Sequence, residues 1–454
     1  MGGLFGEPSL SPSRYLSWAV RNLAHIRVSE FPVPLKRMPP GVESMMLYDI
    51  SLCRRGSDEE LCRTHPLLWR RVARGNVLLR IRYSDGAKDE IRFILQGLRK
   101  FAAYEPLPTN SNASDTTNCG HSDLSFPEPD SSNNFKCSIC EAKIKTKGPN
   151  WPFFFAGGAQ ALESTESYIA TEKENGEAAH FSVIEVNDDA LYVIGSKNVH
   201  MVIRNADDIG LYEGGAERLL PPDYSGCSTS SADIHDRFAY AKRIASTLMN
   251  LLFEQDRSHL IDVMQREALT ANFELIDPGS RHFVYYTSVS RPELRFVAWT
   301  SVDLDPVSDG LTRHYLHSLQ LAQDCGLKIV QYHRYGRNDL SKLLKDNLSR
   351  VNSEGVVVYC CDDRGRTLGL WKVKTVWYTM HKCICNVLLR PKPSSLDAKI
   401  QEFGRRLSLS KAEIEHWRDI GRGFHSWLEK RCLLDIDNLR SRYSSLFAEY
   451  QASI

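Results

Sequence analysis

The chain has 454 residues, with 57 Lys plus Arg against 56 Asp plus Glu and a formal net charge of +1. Hydrophobic residues make up 42% and charged residues 25%, the composition of a globular protein with room for about two to four domains of roughly 100–200 residues. The balance excludes a protein that coats nucleic acid by bulk charge, and no apolar run reaches the ~18 residues of a membrane span.

The first residues, MGGLFGEPSL, lack a charged segment leading into an apolar core, so no secretory signal is predicted. Gly6 stands where a myristoylation pattern requires Ser or Thr. Twelve scattered cysteines, including the adjacent pair Cys360 and Cys361, fit reduced thiols and an address in the cytoplasm or nucleus. Residues 1–104 carry 17 Lys plus Arg and 10 Asp plus Glu, a local excess of +7. Residues 105–150 are rich in Asn, Ser, Thr, Asp and Pro without periodicity, and read as a polar insert.

Next come a strand over Tyr168–Ala170 and a hairpin, His180–Val186 and Leu191–Ile194, turning at Asn187-Asp188-Asp189. Residues 233–269 show helical spacing of Ala241, Ile244, Leu248, Leu251 and Leu252, followed by a second helical stretch. Strands are predicted over 271–287, 294–303, 327–333, 355–360 and 368–374, and helices over about 309–325 and 338–351. A strand is also expected around Cys383 and Cys385, with one thiol buried. Beyond the Pro391-Lys392-Pro393 break the chain turns helical, with a Ser410/Glu413 capping box and a packing stripe of Ile414, Trp417, Ile420, Phe424 and Trp427. Helices mixed among strands outside βαβ units predict an α+β fold with antiparallel sheets flanked by helices and a small all-helical C-terminal domain. The expected division is an N-terminal extension (1–40), a catalytic domain (41–390) and the helical domain (391–454).

Five segments carry the chemistry. Thr171-Glu172-Lys173-Glu174-Asn175-Gly176 places a lysine at a strand end, with a glycine that allows close backbone approach to a ligand. Ser196-Lys197-Asn198 closes the hairpin. In Leu269-Thr270-Ala271-Asn272-Phe273-Glu274-Leu275 an acid sits inside an apolar strand. Ser353-Glu354-Gly355 opens the buried run Val356-Val357-Val358-Tyr359, and Leu370-Trp371-Lys372-Val373-Lys374 sets two lysines on one strand face. Taken singly, each also fits a solvated turn or strand end. Cys119-x-His121 and Cys137-x-x-Cys140, fifteen residues apart, offer four donors for a zinc clip. Cys-x-His is not a usual knuckle, and free thiols in a polar loop are the preferred reading there.

In their order these segments resemble motifs I, III, IIIa, IV and V of the covalent nucleotidyltransferase superfamily. The resemblance is to the phage-type RNA ligase 1 class, which includes the adenylyltransferase domains of fungal and plant tRNA ligases. It is strongest at Thr270–Glu274, continuing through Pro278 to Tyr285, and at Lys372-Val373-Lys374-Thr375-Val376-Trp377-Tyr378. Upstream, Ala73-Arg74-Gly75-Asn76-Val77 and Leu98-Arg99-Lys100-Phe101 resemble two further segments of the class. Viral members carry Asp where Asn175 stands.

The resemblance implies an ATP-dependent RNA ligase that seals 5′-phosphate and 3′-hydroxyl ends through a lysyl-AMP intermediate and an adenylylated RNA 5′ end. Lys173 is the implied nucleophile, with Lys372 and Lys374 at the α-phosphate. A lysine attacks only as the neutral amine, and neighbouring cations help to neutralise it. Glu274 is expected on the ribose, Glu354 at Mg²⁺ or Mn²⁺, Val357 against adenine, and Arg74, Lys100 and Lys197 on the outer phosphates. Asn175 and Gly176 complete the nucleotide-binding set. The partners implied are RNA ends; a monomer away from membranes is expected. The competing readings are a DNA ligase or capping-type enzyme, and a catalytically inactive nucleotide- or RNA-binding relative. No phosphate-binding Gly-x4-Gly-Lys-Ser/Thr and no paired His-x-Ser/Thr occurs, so end-healing activities are not expected.

Overall fold

The computed structural model describes residues 10–52, 61–62, 65–103, 163–213, 217–219, 236–254, 257–279, 282–302, 314–389, 395–434 and 436–454. The insert at 105–150 lies outside them, as do Cys119, His121, Cys137 and Cys140. The strands in chain order begin with Ile26–Pro32 (β1), Val42–Leu52 (β2), Asn76–Tyr83 (β3), Glu90–Gln96 (β4), Ala102–Ala103 (β5) and Ser167–Glu172 (β6). They continue with Glu177–Val186 (β7), Asp189–Ser196 (β8), His200–Ile203 (β9), Glu217–Leu219 (β10), Leu269–Ile276 (β11) and Glu293–Ser301 (β12). The last three are Tyr332–Gly336 (β13), Gly355–Cys361 (β14) and Thr367–Lys374 (β15). The fold is α+β, with antiparallel sheets flanked by helices and a helical C-terminal region, as the sequence pattern predicts.

The chain forms two compact units. The first gathers residues 1–100, 177–275 and 292–329. One of its sheets runs β10-β1-β2-β3-β4 and carries the helix Pro12–Arg21, whose Tyr15 and Ala19 pack with Ile26, Val28, Tyr48 and Leu78. The other runs β12-β11-β7-β8-β9. Its β7–β8 hairpin turns on Asn187 and Asp188, both in the left-handed region at φ 48° and 65°, the geometry of a two-residue type I′ turn.

The second unit gathers residues 101–176, 276–291 and 330–454. Its sheet runs β13-β6-β14-β15-β5, with β14 buried throughout. The helix Leu340–Leu348 covers one face. Its Leu340, Leu343 and Leu344 meet Tyr168, Ala170, Val356, Val358, Trp371 and Val373, the alternate residues of β6, β14 and β15. The helices Val376–Leu388, Leu396–Arg406, Lys411–Lys430 and Ile436–Gln451 build a second core around Met380, Ile384, Phe424, Leu428 and Phe447. Ser410 caps the third of these through the capping box, accepting from the Glu413 N–H while its own N–H donates to the Glu413 carboxylate. The Trp417 and Trp427 side chains pack on this core, as the helical stripe indicates. No helix among the described residues is long and apolar enough to cross a membrane.

Three element readings need correction. The strand expected over 271–287 ends at Ile276. Beyond it Asp277 accepts from the Gly279 N–H, and the N–H groups of Phe283 and Val284 are taken by a side chain rather than a ladder. The strand expected at 327–333 falls later, at Tyr332–Gly336. Cys383 and Cys385 lie in the helix Val376–Leu388 and both are buried, because this helix is enclosed on most sides and its apolar residues do not alternate as a strand's would.

Candidate active site

In the second unit, three strand ends converge. The Lys173 N–H donates to the Gly355 carbonyl at 2.8 Å, and Gly355 registers against Lys374 across β14 and β15. One row therefore holds Lys173, Gly355 and Lys374, with Glu354 immediately before the glycine. Gly355 has φ +126°, and a Cβ there would stand 1.9 Å from the Val373 carbonyl oxygen, so only glycine lets the strands close here. Lys372 and Lys374 alternate with Trp371 and Val373, which face the helix Leu340–Leu348, so both lysines lie on the opposite face of the sheet. Val357 registers against Lys372 on that face.

Glu354 is 4% exposed and receives three donors. Its Oε1 is 3.0 Å from Lys173 Nζ and 3.0 Å from Lys374 Nζ. Its Oε2 accepts from Asn175 Nδ2 at 2.9 Å. Burial alone pushes this carboxyl upward, and the two ammonium groups overcome that, holding its pKa down to about 2. Lys374 moves down to about 8: burial dominates, Glu354 opposes it, and Lys173 and Lys382 add repulsion. The Lys374 ammonium also stands 4.7 Å above the Tyr378 ring, and Lys372 5.7 Å from the Phe101 ring.

Asn175 is wired from both ends of its amide. Its Oδ1 accepts the N–H groups of Phe283 and Val284 at 2.8 and 3.2 Å, while Nδ2 donates to Glu354. Its backbone N–H donates to Tyr286 Oη, which in turn donates to Glu174. Behind the lysine, Glu172 accepts from Ser353 Oγ and Arg350 Nη2 at 2.6 and 2.5 Å. Tyr286, Ser353, Arg350 and the phenol ring beneath Lys374 were not assigned from sequence. Tyr378 follows Lys374 by one helical start and could have been found from that spacing; Tyr286 carries no local signal.

The structure thus brings together Lys173, Asn175, Gly176, Glu354, Val357, Lys372 and Lys374. The remaining predicted residues, Arg74, Lys100, Lys197 and Glu274, belong to the first unit. There the Arg74 N–H donates to the Leu98 carbonyl, and the Leu98 N–H to Asn272 Oδ1, two residues before Glu274 on the same side of β11. Glu274 is half-buried, the single residue of β11 that is not fully buried. Arg74 Nε is buried without a hydrogen-bond partner among the described residues. Lys100 and Lys197 are half-buried, Lys197 in the turn between β8 and β9. Beneath this segment His180 contacts His200 at 3.1 Å, and His200 bonds Asp49 at 2.6 Å.

A divalent ion can be tested against these groups. No cluster of three or more His, Cys, Asp or Glu suited to a metal occurs among the described residues. Glu354 is nonetheless an ionised, oriented carboxylate, and one carboxylate shared with phosphate oxygens suits Mg²⁺ or Mn²⁺.

Residues 150–385 match the model of the family described as Domain of unknown function (DUF7920). No curated protein matches the chain. Among solved structures, an archaeal ATP-dependent RNA ligase is similar at 11% identity and a TM-score of 0.43, covering 98% of this chain and 79% of that one. The Naegleria gruberi RNA ligase with PPi is similar at 11% identity and a TM-score of 0.30, covering 77% of this chain and 96% of its own. A mutant of that ligase with ATP and Mn gives 9% identity and a TM-score of 0.31, covering 78% and 97%. At that distance a shared activity does not follow.

Proposed function

The chain belongs to the DUF7920 family, whose description assigns no activity, and from the site it carries we propose that it is an ATP-dependent RNA ligase. The observation that supports this most is the shared Glu354 oxygen, which holds the amines of Lys173 and Lys374 each at 3.0 Å. A lysine kept beside a second cation in a largely buried site is suited to nucleophilic attack on a phosphorus, and the motif resemblance gives the same assignment.

In the proposed reaction Lys173 Nζ, having given up a proton, attacks the α-phosphorus of ATP. A phosphoramidate bond forms, the α–β bridging bond breaks, and pyrophosphate leaves. Lys374 and Lys372 neutralise the α-phosphate as negative charge develops, and the ring of Tyr378 fixes Lys374 in place. Asn175 positions Glu354 and ties it to the 283–284 backbone. Arg74, Lys100 and Lys197 are proposed for the outer phosphates, Glu274 for the ribose and Val357 for the adenine. Bound Mg²⁺ or Mn²⁺, held by Glu354 with phosphate oxygens, would supply further charge neutralisation. The AMP then passes to an RNA 5′-phosphate. Attack by a 3′-hydroxyl seals the strand and releases AMP.

The test uses single-stranded RNA with a 5′-labelled phosphate and a 3′-hydroxyl, incubated with the protein, ATP and Mg²⁺. Adenylylated RNA and a joined product whose label resists phosphatase are expected, and neither from Lys173→Ala. Label that stays wholly phosphatase-sensitive contradicts the reading. Joining with GTP but not ATP would point to a capping-type relative.

A further inference from the structure

In the first unit a buried chain of side chains links the two sheets. His180 on β7, Gly195 on β8 and His200 on β9 stand in one cross-strand row, so both imidazoles rise from the same face. Gly195 between them has no side chain, and a Cβ there would come within 2.6 Å of the His200 ring. The two rings therefore meet over the glycine, with centroids 5.4 Å apart and planes 19° off parallel. His200 goes on to Asp49 of β2: its Nδ1–H donates to Oδ1 at 2.6 Å and its backbone N–H to Oδ2 at 3.0 Å. His180, His200 and Asp49 are 3%, 1% and 3% exposed.

The partners fix where the protons sit. The Ser196 carbonyl, an acceptor only, lies 3.3 Å from His180 Nδ1, so this nitrogen carries the hydrogen. His200 has its hydrogen on Nδ1, facing Asp49, and its bare Nε2 accepts from His180 Nδ1 at 3.1 Å. His180, His200 and Asp49 thus form a one-way chain of donors. Burial, with repulsion from His200 second, holds the pKa of His180 down to about 3, so its ring is neutral at pH 7.

The far end of this chain touches the backbone beside each of the three cations proposed for the outer phosphates. A Cβ on Gly75, next to Arg74, would stand 2.5 Å from the His180 ring, and one on Gly97, which opens the run to Lys100, 2.8 Å from its Nε2. The Gly97 N–H donates to the Gly75 carbonyl at 2.6 Å, which joins those two segments. The Ser196 carbonyl that meets His180 immediately precedes Lys197. We propose that the Asp49–His200–His180 relay is a positioning device that sets Arg74, Lys100 and Lys197 for the β- and γ-phosphates of the nucleotide without itself touching them. Cations on long side chains hold a polyphosphate only as well as their backbone is held, and a displacement of about 1 Å can cost ~100-fold. The inference rests on the ATP-binding reading of those three residues.

The experiment measures, by titration calorimetry with Mg²⁺, binding of AMP and of α,β-methylene ATP, which keeps all three phosphates but cannot release pyrophosphate. His200→Asn keeps the donor to Asp49 but lacks the nitrogen that accepts from His180, so it cuts the relay at that bond. Its preference for the triphosphate over AMP should fall about 10-fold, with AMP affinity unchanged, which also shows it folded. Asp49→Asn keeps the side-chain volume and sets an amide NH₂ against one of the two His200 donors. It should give the same selective loss, and it reads the contrast if His200→Asn does not fold. Equal losses for both nucleotides, or a loss for neither, overturn the relay. So does an unaltered protein that does not prefer the triphosphate, even if it forms lysyl-AMP. Selective loss in a protein that forms no lysyl-AMP would uphold the relay while removing the ligase reading.

Discussion

At the scale of single residues, the site turns on one carboxylate. Glu354 satisfies two lysines with one oxygen and an asparagine with the other, and this explains why position 175 is an amide here. An aspartate would keep the acceptor for the Phe283 and Val284 N–H groups, but would set its second oxygen against Glu354 Oε2 at hydrogen-bonding distance. Two carboxylates that close cannot both ionise cheaply. Asn175→Asp should therefore lower stability by about 1–3 kcal/mol at pH 7, from a lost buried hydrogen bond and the new repulsion. The loss should be smaller at pH 4, where one of the pair takes a proton; an equal loss at both values contradicts the arrangement. Glu354 itself gives a pH signature. Its folded pKa of about 2 lies below its ordinary 4.5, so its stabilisation is full above about pH 4.5 and disappears as pH falls toward 2. The gap in melting temperature between the unaltered protein and Glu354→Gln should be constant above pH 5 and close below 4.5. Sequence pattern places Lys173, Glu354 and Lys374 because each sits at a strand end within a recognisable motif. It does not place Tyr286, whose bond to the Asn175 N–H depends on a non-local approach of residues 111 apart.

At the scale of elements, the junction of β6, β14 and β15 sets the geometry, and Gly355 is its tightest point. An alanine there meets a backbone carbonyl at 1.9 Å in a region of φ that side chains avoid. Gly355→Ala should cost more than ~2 kcal/mol in urea denaturation, well above an ordinary surface change, and should weaken nucleotide binding with it. Stability and binding within error of the unaltered protein would show that the strands can part here without consequence. The strands around this junction were legible because continuous apolar runs bounded by Gly and charged residues leave little choice. The segment after Ile276 was not: its apolar residues look strand-like, yet Asn175 supplies the hydrogen bonds that a neighbouring strand would have made. The helix at Val376–Leu388 was misread around its cysteines because a helix buried on most sides loses its polar stripe, and with it the 3.6-residue period. The N-cap Thr375, accepting from the Tyr378 N–H, is the local signal that marks its start.

At the scale of the whole molecule, a near-neutral chain distributes its positive charge unevenly. The +7 excess of residues 1–104 includes Arg74 and Lys100, while in the other unit Lys173 and Lys374 gather around one acid. Each unit is assembled from several separate stretches of chain, and no shift in composition marks the crossings near 176, 275, 291 and 329. Long-range contacts alone define them, so a linear reading recovers the α+β class and the helical C-terminus but not this division. The central claim, that Lys173 is the residue that takes AMP from ATP, is open to one direct measurement. The purified protein is incubated with α-labelled ATP and Mg²⁺, denatured, digested and mapped by tandem mass spectrometry. The account predicts a single adenylylated peptide with AMP on Lys173, and no label on Lys173→Ala. Label on another residue, or a protein that carries no covalent nucleotide, would contradict it.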